Sequence, residues 1–427
     1  MKFYIYTLGC KVNNYESNIM RDNLLNNGYI EGSIDDADIY IVNTCTVTNT
    51  SDNKSLKIIR RLIREQKEKI IIAVGCMTQV NSELLKNLGV SIVLGNKDKS
   101  KIVDYIEDYK NNKKSIMSIE DIMNIDFEDM TLNNFNKIRA FVKIEDGCEN
   151  YCSYCIIPYA RGKVRSKNPE KVILEISNLV NNGHQEIVLT GIHTGHYHYQ
   201  DYSFYDLLKD IIKIAGLKRL RISSIEITEI TDDIMELFRN NKVLVDHMHI
   251  PLQSGSNTIL KLMNRKYDKE YFIDRINKLR EIRPNISITT DVIVGFPGET
   301  DELFEETIDT IKKIKFSKIH VFPFSLRKGT KAETLPNHID GTIKKKRVKE
   351  LINLSKELEI EYASKFINNI KDIIPEIEKD GYLIGHTDNY LNVKVRACSN
   401  LINKMISVRI IRQEYPYLMG ELIEKWF

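Results

Sequence analysis

Residues 145–162, EDGCENYCSYCIIPYARG, carry three cysteines at the spacing Cys148-x3-Cys152-x2-Cys155. The run before them, residues 138–145, has the apolar, β-rich pattern of a strand. The thiols therefore fall just past a strand, and loops at the carboxyl ends of parallel strands are where such folds place chemistry. A cubane 4Fe–4S cluster has four irons, usually capped by four thiolates. Three clustered cysteines with no adjacent fourth leave one iron open for another ligand. A structural zinc site with a distant fourth ligand is the competing reading, but zinc sites ordinarily use Cys-x2–4-Cys pairs twice.

Downstream of this motif, candidate strands recur at 186–190, 219–224, 246–250, 286–294 and 318–322. Helical patterns such as 169–182, 267–283 and 301–314 lie among them. Six βα units point to a parallel barrel short of the usual eight. Upstream, residues 3–7, 39–43 and 70–74 are compact β-rich runs, each followed by a helical stretch, which predicts parallel βαβ units. Residues 113–134 turn from basic to acidic (Glu120, Asp121, Asp126, Glu128, Asp129) without a period and read as a linker. At the other end, 382–385 and 390–395 flank the turn-like His386-Thr387-Asp388-Asn389, and 406–411 alternates again. The expected α/β architecture is an amino-terminal parallel domain (1–112), a linker (113–135), a central partial (βα)6 barrel (136–363) and a small all-β module (364–427).

Seven cysteines, an odd number, in a chain whose start (MKFYIYTLGCKVNN) lacks the features of a signal peptide argue for metal or redox use rather than disulfides. Cys10, Cys45 and Cys76 are far apart in sequence, yet each directly follows an apolar strand: FYIYTLGC, DIYIVNTC and IIIAVGC. In a parallel sheet these strand ends share one edge, where open α/β sheets bind ligands. Three thiolates would converge there on a second cluster, the alternative being three unrelated core cysteines. Cys398 reads as a lone thiol.

The CxxxCxxC motif, with Tyr154 before its last cysteine, resembles the radical S-adenosylmethionine (SAM) signature. Its pairing with the amino-terminal cysteines resembles the methylthiotransferases, a radical-SAM family with a carboxyl-terminal RNA-binding TRAM domain. The resemblance runs through TLGCKVNNYES, VNTCTVTN, DGCENYCSYCIIPYARGKVRS, HMHIPLQSGSNTILKLMNRKY, TTDVIVGFPGET and GYLIGHTDNYLNVKV. It implies two 4Fe–4S clusters, a radical-SAM barrel and a TRAM module. One SAM would methylate sulfur attached at the cluster of Cys10, Cys45 and Cys76. A second would be cleaved at the catalytic Cys148, Cys152 and Cys155, and its radical would take hydrogen from adenosine carbon 2, which then accepts the methylthio group. For SAM itself, Tyr154 is a candidate contact, as are Thr190 and Gly191 after the second barrel strand and Ser223 and Glu226 after the third. Val292 to Gly295, ending the fifth strand, resemble the adenine-contacting stretch of the family. The following Gly295-Phe296-Pro297-Gly298 also reads as a plain turn before a helix capped by Thr300.

TLGCKVN followed by VNTCTVTN is most similar to the branch acting on N6-threonylcarbamoyladenosine at position 37 of tRNA. The isopentenyladenosine branch begins YGCQMN-like and the ribosomal-protein branch LGCPKN-like; Asn14 stands where a Gln is expected. Isopentenyladenosine in tRNA or a ribosomal-protein aspartate are the alternative substrates, and an RNA-binding protein with structural metal is the alternative outside catalysis. The implied partners are the tRNA anticodon stem-loop, an electron donor such as flavodoxin or ferredoxin, and a sulfur source.

Composition adds bounds. The 427 residues include 62 Lys and Arg against 59 Asp and Glu, a formal charge of +3 that does not by itself announce a nucleic-acid binder. No apolar run approaches the ~20 residues of a membrane helix, so a soluble, cytoplasmic protein without a membrane partner is expected. Arg161, Lys163 and Arg165 are candidate phosphate contacts. So are residues 54–69, with seven Lys/Arg against two Glu, and residues 344–347; charge runs are more often solvated faces. His193, His196 and His198 read as a polar loop rather than a metal site, and Trp426 as packing near the terminus.

Overall fold

Strands Ile39–Thr44 and Ile70–Gly75 are buried at every position, so their continuous apolar runs have no solvent face to alternate toward. The computed structural model describes residues 1–66 and 68–423; Trp426 lies outside them. These two strands form the middle of a six-stranded parallel sheet ordered Ile30–Glu31, Lys2–Thr7, Ile39–Thr44, Ile70–Gly75, Ile92–Leu94, Ile116–Ser118. Alternate residues face opposite ways. Ile41 and Ile72 pack with Met20, Leu24, Ile102 and Ile106, while Tyr40, Val42 and Ala73 pack with Ile59 and Leu62. The sheet does not stop at residue 112. Its last strand, Ile116–Ser118, comes from the segment expected to be a linker. Further along, Met130, Leu132 and Phe135 are buried in the barrel core. That segment is packed chain whose pieces are too short to show a period.

The central strands Arg139–Lys143, Glu186–Thr190 and Arg219–Ile222 form one parallel ladder, and His247–His249, Ser287–Val294 and Lys318–Pro323 a second. A bridge from Leu220 to Leu244 connects the two. Among the described residues no ladder joins the first strand to the sixth, so the barrel is partial. Val142, Leu189, Ile222 and Ile288 share one core with Ile176, Leu279 and Ile311 of the surrounding helices. Each such side chain contributes roughly 1.5–3 kcal/mol on burial. Asn168 caps helix Pro169–Asn181 and Thr300 caps Asp301–Ile314.

Helix Gly341–Ser364 leads to a closed five-stranded barrel ordered Ile370–Lys379, Tyr382–Thr387, Asn392–Val395, Tyr417–Leu422, Ile406–Glu414. Its turn is driven into the amino ends of the central strands. Arg219 donates to the carbonyls of His386 (2.9 Å) and Asp372 (2.7 Å), and Arg221 to those of Asp388 (2.8 Å) and Thr387 (2.7 Å). Buried Glu186 pairs with both guanidinium groups. Tyr390, expected to begin a strand, has φ +64° and sits before it. Its ring stacks on His247 and His386 at 4.7 and 4.8 Å, and its hydroxyl accepts from Arg139 at 2.8 Å.

A buried ion network joins the amino-terminal domain to the barrel. Glu16, on helix Lys11–Asn26, meets Lys99, Lys143 (2.9 Å) and Arg161 (2.8 Å), and Asp146 meets Lys143 (2.6 Å) and Arg161 (3.1 Å). Burial works to raise the Glu16 pKa, but Arg161, Lys143 and Lys99 hold it well below the usual carboxylate range. Removing one member strands the others without solvent, a loss of about 3–5 kcal/mol. Glu16→Ala should therefore lower the thermal midpoint clearly and expose the interface to protease. Glu31→Ala, which breaks an exposed pair with Arg21, should stay within about 0.5 kcal/mol of wild type.

Candidate functional site

The loop of Cys148, Cys152 and Cys155 leaves the first central strand through Gly147, whose φ is +90°. A Cβ there would stand 1.9 Å from the Lys163 carbonyl oxygen, so only glycine fits. Cys148 N–H donates to the Gly162 carbonyl at 3.0 Å and Cys155 N–H to that of Cys152 at 2.9 Å. Ser153 lashes the loop to the turn after helix Asn257–Leu262, donating from Oγ to Leu262 O (2.6 Å) and from N to Met263 O (3.0 Å). Burial pushes the Cys148 thiol above its ordinary range and Cys155 up to about 12. At Cys148 the neighbouring Cys155 and Cys152 add to the rise, and at Cys155 Cys152 does.

Two side chains that were not singled out from the sequence for this loop touch it. Arg265, of the NRKY stretch, donates from Nη1 to Cys152 Sγ at 3.2 Å and is ion-paired with Glu226. His193, expected to be loop surface, is 5% exposed; Nδ1 lies 3.7 Å from Cys148 Sγ and Nε2 meets Glu229. His196 stacks on His193 with centroids 3.7 Å apart, and ligand atoms of the two rings and Glu229 lie within 4.8 Å of one another. His198 is exposed.

Cys10, Cys45 and Cys76 follow three adjacent strands of the amino-terminal sheet, at its carboxyl edge. Gly9, with φ +98°, leaves room for Cys45: a Cβ on it would meet Cys45 Cβ at 2.9 Å. Cys45 is buried, which raises its thiol, and Cys76 adds to the rise; Cys10 is exposed at the sheet edge, near Arg161 and Cys76. Arg327, from a barrel loop, donates to Thr46 (2.8 Å) and Asn49 (2.7 Å) and pairs with Asp52 (2.6 Å), pinning the segment after Cys45.

Arg161 connects the two sets. It ends the short helix Ile157–Arg161 that follows the barrel cysteines, and it donates from Nε to Cys76 Sγ at 3.3 Å and from Nη2 to Asn13 at 2.7 Å. It is fully buried, which removes it as a phosphate contact. Arg165 is likewise spent on the carbonyls of Arg161 and Lys163, both at 2.9 Å; Lys163 is exposed. In the run at 344–347, Arg347 is buried against Glu299 (2.6 Å) and Asp301 (2.7 Å). The helix Asn49–Glu65 does present Lys54, Lys57, Arg60 and Arg64 to solvent.

Of the candidate SAM contacts, Ser223 lines a cavity of about 430 Å³ inside the barrel. Thr190 is buried at the end of its strand, and Gly191 lies against the carboxylate of Glu145, whose Oε1 has no partner among the described residues. Tyr154 packs edge-on against Phe296. Val292 is fully buried, and the Gly295 N–H donates to Glu299 at 2.6 Å beneath the Lys344 stem.

A family model described as the radical SAM superfamily matches residues 142–311, and one described as uncharacterized protein family UPF0004 matches residues 2–95. The threonylcarbamoyladenosine tRNA methylthiotransferase MtaB of Bacillus subtilis is 44% identical over 98% of this chain and 95% of its own length. Its counterpart in Thermotoga maritima is 38% identical over 95% and 93%. The tRNA-2-methylthio-N(6)-dimethylallyladenosine synthase of Caldicellulosiruptor saccharolyticus is 33% identical over 99% and 92%. Among solved structures, the radical SAM methyltransferase TsrM of Kitasatospora setae superposes with a TM-score of 0.56 at 12% identity, over 75% of this chain and 72% of that one, which shows the shared fold. Because relatives 44% and 38% identical match nearly the whole chain and a radical SAM model matches its central strands, the chain belongs to the radical SAM methylthiotransferases, enzymes of that chemistry.

Proposed function

We propose that this chain adds a methylthio group to carbon 2 of N6-threonylcarbamoyladenosine at position 37 of tRNA, beside the anticodon. In this reading Cys148, Cys152 and Cys155 hold one 4Fe–4S cluster and Cys10, Cys45 and Cys76 hold a second. The observation that carries it is the pairing of two three-thiol sites across one buried interface, with Arg161 reaching from the barrel's loop to Cys76. The substrate follows from the relatives named for threonylcarbamoyladenosine, which match nearly the whole chain.

The donor sets fit such clusters. Each offers three thiols without a fourth cysteine, since Cys398 belongs to the terminal module. Desolvation makes bare thiolates costly in both places, and a bound metal centre removes that cost. Arg265 and Arg161 each direct an N–H at one sulfur, a contact of the kind that tunes iron–sulfur sites. When bound, a 4Fe–4S cluster with SAM on its open iron supplies a radical able to take hydrogen from an aromatic C–H, which offers a base no acidic proton.

The protein's part is to position and exclude. In this reading Ser223, Thr190, Gly191, Glu226, Tyr154, Val292 and Gly295 are the candidate SAM contacts, and Glu226 is held by its pair with Arg265. The solvated cations Lys54, Lys57, Arg60 and Arg64 face outward on the helix that starts beyond Cys45, where RNA phosphate would meet them. The closed terminal barrel is suited to reading the stem-loop by shape rather than charge. Electrons would come from a small redox protein such as a flavodoxin or ferredoxin, and a separate sulfur source would supply the transferred sulfur, in the cytoplasm where tRNA is modified. No helix of the described residues is long and apolar enough to cross a membrane.

Digested tRNA from cells with and without the gene should differ by one nucleoside. The 2-methylthio form of N6-threonylcarbamoyladenosine should vanish and its unthiolated precursor accumulate by mass spectrometry. Loss of methylthio from isopentenyladenosine instead would reassign the substrate. In purified protein, Cys148→Ala and Cys10→Ala should each abolish turnover and remove about half of the iron and acid-labile sulfide, whereas Cys398→Ser should retain both. Zinc in place of iron would refute the cluster assignment.

A further inference from the structure

Among the described residues, the cavity between the barrel and the terminal module holds one lysine or arginine without a counterion. Lys11 opens the helix Lys11–Asn26 directly after Cys10, and its side chain lines the cavity of about 430 Å³ together with His247, His249, Asp291, His320 and Tyr390. The other basic groups around the cavity are occupied: Arg139 by Glu376 (3.0 Å), Arg221 by Glu186 (2.5 Å) and Lys318 by Glu359 (3.2 Å). Among the described residues, no carboxylate pairs with the Lys11 ammonium and no acceptor receives a hydrogen bond from it. A second group waits beside it. His247 is 8% exposed; its Nε2 meets Thr289 Oγ1 at 3.2 Å, while Nδ1 has no partner among the described residues. His249 Nδ1 shares the same Thr289 hydroxyl at 2.9 Å, and its Nε2 lies 3.3 Å from Asp291.

An ammonium and an imidazole nitrogen that lack partners among the described residues, facing one cavity between the barrel and the terminal module, describe a seat for an anion that also carries hydrogen-bonding groups. The volume lies within the ~300–1,000 Å³ of ordinary small-molecule sites. In adenine, C2 and the carbon bearing N6 flank the same ring nitrogen. A base that turns C2 toward the cysteine sites therefore carries its N6 substituent close by, and Lys11 is the residue next to Cys10. We infer that Lys11 holds the carboxylate of the threonylcarbamoyl group, with the His247, His249 and Asp291 cluster meeting its hydroxyl and urea, and that this contact selects the substrate. The inference rests on the reading of threonylcarbamoyladenosine as substrate. An isopentenyl group in the same place would leave the ammonium buried against hydrocarbon, and sites built for polar groups reject apolar analogues strongly.

The test uses the reconstituted full-length enzyme and three anticodon stem-loop RNAs, bearing threonylcarbamoyladenosine, its carboxamide (threonine carboxylate replaced by amide) and isopentenyladenosine. The wild type should prefer the carboxylate over the carboxamide by about 10- to 100-fold in kcat/KM, mostly through KM, as loss of a charged hydrogen bond implies. Lys11→Met should erase that preference, and Lys11→Arg should keep most of it. Iron content and circular dichroism report whether each variant is folded and loaded, and the wild-type comparison stands even if Lys11→Met is not. If loaded Lys11→Met keeps the full preference, or if the wild type treats carboxylate and carboxamide alike while methylthiolating both, the assignment of Lys11 is overturned and the substrate reading stands. Turnover of the isopentenyl RNA alone would overturn both.

Discussion

The arrangement depends on one buried guanidinium. Arg161 is fully enclosed, yet it contacts two carboxylates, an amide and a thiol that come from two domains. A guanidinium is always charged and offers five donors in a planar fork, so it can satisfy several acceptors at once without losing its proton. A lysine in its place would supply a point charge without that geometry. The immediate network holds Arg161, Lys143 and Lys99 against Glu16 and Asp146, with Arg165 at its rim. Positive charge is in excess, and Arg161 turns part of it toward Cys76. The contact with Cys76 therefore makes the site and the domain docking parts of one electrostatic problem.

This dependence explains what was legible in the sequence. The three barrel cysteines announce themselves because they are close in the chain, and the three amino-terminal ones because each sits at the same place relative to an apolar strand. Long buried strands such as Ser287–Val294 are equally plain. Ile92–Leu94 and Ile116–Ser118 have three residues each, too few for any period, so the sheet's far edge was lost and part of it was taken for a linker. Charge is the signal that misleads. Arg161 and Arg347 look like solvated or RNA-facing residues in one dimension, but each is buried against a remote carboxylate, Glu16 at 145 positions and Glu299 at 48. His193 was passed over for the same reason, since its contact to Cys148 spans 45 residues of intervening barrel. Nothing local marks a residue whose partner is brought in by the fold.

The terminal module shows the converse case, a surface turn that becomes structural. Arg219 and Arg221 spend most of their donors on backbone carbonyls of the segment that leads through His386 to Asp388, and these charged hydrogen bonds are stronger than neutral ones. Tyr390 adopts a left-handed backbone conformation and places its ring between two histidines beneath two guanidinium groups. The result is a stopper at the amino ends of the central strands. A module expected from sequence to bind RNA therefore also packs against the amino ends of the central strands.

With that end closed and the amino-terminal sheet docked beside the first strand, the lumen is bounded by three parts of one chain. The carboxyl edges of two parallel sheets, the places where such sheets ordinarily carry ligands, are tied together through Arg161 instead of each opening to its own solvent cleft. Reactive intermediates of radical chemistry are destroyed by water and stray hydrogen donors, so an enclosed space is what that chemistry requires of a protein. Enclosure also raises the cost of every polar group left unpaired in it. A lumen in which Lys11 and a His247 nitrogen have no partner among the described residues is therefore suited to a polar guest.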